Sequence, residues 1–65
     1  MTKWDEAKWE MNRIFAARRG DSQEDILNAV CFAFEKSGQR LTEEWRNNLS
    51  DLARTASHGG HVTLR

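Results

Sequence analysis

The chain has 65 residues, with ten Lys and Arg set against ten Asp and Glu, three Trp, three Phe, one cysteine, and neither proline nor tyrosine. That length is one domain, near the lower end of what folds without a staple, and the single Cys31 excludes an intrachain disulfide. The balanced charge argues against a generic nucleic-acid binder, which carries a basic excess, and no apolar run approaches the roughly 18 residues that would span a bilayer.

Charge is nevertheless uneven along the chain. Residues 1–20 hold five bases and three acids, residues 21–38 four acids and one base, and residues 39–65 four bases and three acids. The N-terminus is charged and contains Trp4, so it does not read as a signal peptide. Cys31 lies in the most apolar stretch, where a free thiol behaves as a small hydrophobe and suits a reducing compartment. The expectation is a soluble, cytoplasmic protein.

Residues 2–19 are predicted to be the first helix. At about 100° per residue, Trp4, Ala7, Met11, Ile14 and Phe15 share one stripe. Thr2 is the expected N-cap with Asp5 at the capping-box position, and Gly20 closes the helix. Trp9 falls outside the stripe, about 140° from Trp4 and beside Asn12 and Arg13. It either lies flat over neighbouring side chains or belongs to a partner surface, a setting in which Trp is enriched.

The second helix is predicted over residues 22–37, with Asp21 or Ser22 at its start. Asp21 as N-cap would place Glu24 in the box position. Ile26 to Phe34 is the only run of the chain that is apolar on nearly every side, so the flanking helices should wrap it. Ile26, Leu27, Val30, Ala33 and Phe34 form its main face, with Cys31 at the edge, while Ala29 and Phe32 point elsewhere. Capping and the helix dipole account for Asp21, Glu24 and Asp25; an acidic recognition patch is the alternative.

Residues 42–57 are predicted to be the third helix, capped by Thr42 with Glu43 and Glu44 in its first turn. Leu41, Trp45, Leu49, Leu52 and Ala56 make its apolar stripe. The tail, residues 58–65, is expected to be frayed or briefly extended, with Val62 and Leu64 on one side. Three amphipathic helices and short loops predict an all-α, compact three-helix bundle, up-down-up, with Trp4, Phe15, Phe34 and Trp45 as its largest core residues. Asp5, Glu6, Glu43 and Glu44 would then gather at one end.

No catalytic, metal or cofactor site is expected. Cys31, His58 and His61 are too few and too scattered for structural zinc. The neighbours of Cys31 do not favour a thiolate, and Gly59-Gly60 lacks the strand-to-helix context of a phosphate loop. Arg46, Asn47, Ser50 and Arg54 on the third helix are of the types that read DNA, so a small dimeric helix-turn-helix-like regulator is one reading; Glu43, Glu44 and Asp51 would oppose the same phosphates. Binding through a protein surface is the other. Trp9, Phe32 and the acids Asp21, Glu24, Asp25, Glu43 and Glu44 are what the core leaves unused, and a homodimer is compatible with that pattern.

In size, helical character and lack of catalytic residues the chain resembles small phage-encoded inhibitors of bacterial defence of the anti-CRISPR type. The resemblance implies a non-enzymatic inhibitor in the host bacterial cytoplasm that binds a CRISPR effector complex or nuclease subunit. It further implies that Asp21, Glu24, Asp25, Glu43 and Glu44 would stand in for phosphates and Trp9 would anchor the contact.

Overall fold

The computed structural model describes residues 2–64 and is an all-α three-helix bundle: α1 (Lys3–Ala17), α2 (Gln23–Glu35) and α3 (Glu43–Ser57). Each helix begins where a hydroxyl side chain can satisfy a free first-turn N–H. Asp5 N donates to Thr2 Oγ1 at 3.1 Å, and Thr2 N donates back to Asp5 Oδ2 at 3.3 Å, completing a capping box. Thr42 Oγ1 accepts from Trp45 N at 3.2 Å.

The start of α2 corrects the reading in which Asp21 caps and Glu24 closes the box. Ser22 is the N-cap, accepting from Asp25 N at 3.2 Å. Asp21 instead finishes the preceding turn: its N–H donates to Arg18 O at 2.9 Å and its carboxylate lies 3.8 Å from the Arg18 guanidinium. The helices also stop earlier than expected at two ends. α1 gives way after Ala17, and Gly20 then takes φ +94°, where an L side chain would be strained. α2 ends at Glu35 in a tightened turn: Ser37 N donates to Phe34 O at 3.1 Å, Gly38 N donates to Glu35 O at 3.0 Å, and Gly38 takes φ +83°. α3 closes with Gly59 at φ +87°: Gly59 N donates to Ala56 O at 3.0 Å and Gly60 N to Thr55 O at 2.9 Å, the paired bonds of a Schellman end.

The core comprises Ala7, Met11 and Phe15 of α1, Ile26, Val30, Ala33 and Phe34 of α2, and Leu49, Ala53 and Ala56 of α3, each at most 3% exposed. α2 packs on both other helices, so the run from Ile26 to Phe34 is indeed the part that the flanking helices wrap. Phe15 and Phe34 are buried as expected, but Trp4 and Trp45 are only half-buried. Their rings form a lid over Phe34, with centroids 5.6 Å and 5.1 Å from it and 5.4 Å from each other. That cluster joins the start of α1, the end of α2 and the start of α3, which makes the topology up-down-up. Asp5, Glu6, Glu43 and Glu44 therefore lie at the same end, all exposed.

The tail is extended and docked. Val62 and Leu64 pack against the core, and the Asn12 carboxamide reads the backbone of Leu64 on both sides. Leu64 N donates to Asn12 Oδ1 at 2.6 Å, and Asn12 Nδ2 donates to Leu64 O at 3.0 Å. Arg19 Nη1 donates to His61 Nδ1 at 2.6 Å at the other end of the segment.

Candidate protein-binding face

Once the core is formed, two large apolar side chains among the described residues remain outside it: Trp9 at 64% and Phe32 at 65% exposure. They are exposed because each lies off its helix's buried stripe, and each is paired with a cation one turn along. The Arg13 guanidinium sits 5.6 Å from the Trp9 ring centroid and Lys36 Nζ sits 4.9 Å from the Phe32 centroid. In both cases the cation is four residues after the aromatic, the spacing that places two side chains together on a helix surface. Lys8 over Trp4, at 6.0 Å, repeats the pattern. This aromatic-to-cation spacing of four residues is visible in the sequence itself.

The two aromatics are linked across the α1–α2 seam. Lys36 Nζ reaches Glu10 Oε1 at 3.3 Å while lying over Phe32. Glu10 in turn lines a shallow hollow with Glu6, Trp9 and Arg13. Phe32, Lys36, Glu10, Trp9 and Arg13 thus run as one continuous surface over two helices. Glu10 and Lys36 lie 26 residues apart, and their pairing depends on the antiparallel packing of α1 and α2.

The acids expected to act with Trp9 and Phe32 are not on this surface. Asp21, Glu24 and Asp25 occupy the turn into α2, at the end opposite the aromatic lid. Glu43 and Glu44 occupy the start of α3, at the lid end. A 13-residue helix separates the two groups by about 20 Å along its axis. The seven residues therefore form an aromatic face with an acidic cluster at either pole, and Glu6, Glu10, Arg13 and Lys36 complete the face.

Of the α3 residues that would read DNA, Arg46, Asn47 and Arg54 are exposed, but Ser50 is turned to α2. Its carbonyl and hydroxyl oxygens each accept from Gln23 Nε2 at 3.1 Å. Cys31 is half-buried at the α2–α3 seam; burial pushes its thiol up from the ordinary value, partly offset by Arg46. The Thr2 hydroxyl and backbone N–H hold Asp5 below the usual carboxylate value. Among the described residues, no three His, Cys, Asp or Glu side chains converge as metal ligands, and no helix is long and apolar enough to cross a membrane.

Comparison of the chain with protein-family models, with curated proteins and with solved structures finds no match in any of the three.

Proposed function

We propose that the chain is a non-enzymatic inhibitor that acts by binding a protein target through the Trp9–Phe32 face. The observation that carries this reading is the pair of exposed aromatics, each covered by a cation and tied together by the Glu10–Lys36 bridge. Large rings held over by basic side chains present apolar area at low entropic cost, and Trp and Arg are the residues enriched at binding hot spots. The resemblance in size and composition to phage-encoded anti-CRISPR proteins supplies the target class: a CRISPR effector complex or its nuclease subunit in the bacterial cytoplasm. In that complex the aromatics hold the contact. The polar acids Asp21, Glu24, Asp25, Glu43 and Glu44 lie at the rim, where charge governs the rate of association more than the strength of binding.

Affinity capture from host lysate tests the reading, using tagged wild-type chain beside Trp9→Ala and Phe32→Ala. Both residues are exposed, so the variants should keep the helical circular-dichroism signal while losing the captured nuclease, with affinity down at least about tenfold, or 1.4 kcal/mol. Reversing the five acids should slow association at low salt and leave dissociation nearly unchanged. Retention of the target by both aromatic variants would place the binding surface elsewhere.

A further inference from the structure

The charges on the outer face of α1 have an order that selects one kind of occupant. Glu6, Trp9, Glu10 and Arg13 line a single hollow, at the i, i+3, i+4, i+7 spacing of one helix face. Glu10 is already paired with Lys36 of α2. Glu6 and Arg13 make no ion pair among the described residues. They stand seven residues apart, about 10 Å along the axis, too far to satisfy one another. The face thus presents an unpaired acid at one end, an unpaired base at the other, and an exposed Trp between them.

We propose that the occupant of this face is a second copy of the chain, packed with its α1 antiparallel to the first about a two-fold axis passing between Trp9 and Glu10. The inference rests on reading the face as a protein-binding surface: the second copy covers the face in the free chain, and the target of the proposed function displaces it. A two-fold interface apposes the same patch from both copies, so it must be complementary to its own reverse. This one is. Antiparallel pairing about that axis puts Glu6 opposite Arg13 of the second copy and Arg13 opposite its Glu6, forming two ion pairs from one pattern. The same symmetry brings the two Trp9 rings together at the centre, where they exclude water from both pairs. Parallel pairing would set acid against acid and base against base. Zero net charge removes any long-range repulsion between copies. Phe32 and Lys36 flank the paired helices and extend the contact onto α2, giving a four-helix interface from two copies.

Sedimentation equilibrium from micromolar to millimolar chain, on wild type and charge variants, tests this. Wild type should pass from monomer to dimer with rising concentration. Glu6→Arg and Arg13→Glu should each weaken association about tenfold, since each exchanges two attractive pairs for two repulsive ones. Mixing those two variants should restore association as a heterodimer, because the pairs are then satisfied in trans at both ends. The double variant Glu6→Arg/Arg13→Glu should dimerise like wild type. A folding defect would not be cured by mixing, and both positions are exposed. A wild type that stays monomeric at millimolar concentration overturns the inference. So does a dimer indifferent to both charge changes. If the chain stays monomeric while target capture still needs Trp9, only the self-pairing falls. If a dimer that depends on Glu6 and Arg13 forms and no target is captured, the self-pairing stands and the inhibitor reading falls.

Discussion

Single residues at the helix starts connect the fold to pH. Asp5 is exposed, yet the Thr2 hydroxyl and backbone N–H stabilise its charged form and lower its pKa below the ordinary 3.8. Because the folded value is depressed, the unfolded chain binds the proton more readily. The capping box therefore contributes stability that is present above pH 3.8 and is lost as pH falls through the folded value. Thermal melts of wild type and Asp5→Asn at neutral pH and at pH about 3 check this. Wild type should lose melting temperature on acidification by more than Asp5→Asn does, so the gap between them should narrow. A gap that stays constant would mean that the Thr2–Asp5 pair does not stabilise α1. Ser22, at the start of α2, is a cap with no returning acid side chain, and should show no such acid-dependent component of its own.

At the scale of elements, the tail is the part most dependent on one distant contact. The Asn12 carboxamide and the Leu64 backbone exchange two hydrogen bonds across 52 residues of sequence, in the manner of a strand pairing with a strand. Two such bonds are worth about 1–3 kcal/mol net. For a domain of this size that is a drop of roughly 4–8 °C in melting temperature per kcal/mol. Asn12→Ala should show that loss, and hydrogen exchange should find the Leu64 amide no longer protected while α2 amides keep their protection. Unchanged protection at Leu64 would mean that Val62 and Leu64 packing alone holds the tail. The same dependence on distance separates what was legible in the sequence from what was not. Thr2, Thr42 and the stripes of α1 and α2 follow from spacings of three and four residues, so the helices and their faces could be read directly. Asn12 docking, the Glu10–Lys36 bridge and the half-exposure of Trp4 and Trp45 are set by which helices become neighbours, and no local period encodes that. Arg13 and Lys36 lie between these cases: their spacing from Trp9 and Phe32 is local, but its use as a surface appears only when α1 and α2 are side by side.

For the whole molecule, stability converges on α2, and two phenylalanines two residues apart separate its inner and outer roles. Phe34 is 0% exposed and contacts both Trp4 and Trp45, so one ring ties all three helices. Phe32 is 65% exposed and contacts Lys36. Truncating a buried Phe to Ala costs about 3–5 kcal/mol, through lost transfer energy and the cavity left behind. A core in a chain this short supplies about the same total, 3–5 kcal/mol. Phe34→Ala should therefore be largely unfolded at 25 °C, losing its helical circular-dichroism signal and any cooperative melt. Phe34→Leu should remain folded with a lowered midpoint, since the branched side chain still fills part of the space beneath the tryptophan lid. Phe32→Ala should melt within about 0.5 kcal/mol of wild type, as surface changes away from caps and buried networks do. A Phe34→Ala chain that melts cooperatively near the wild-type temperature would show that the tryptophan lid and the α1–α3 contacts hold the bundle without α2 at its centre. The expected contrast has a functional corollary. The residue that can be removed without cost to the fold is the exposed one, so the outer face of α2 is free to change while the core beneath it stays fixed.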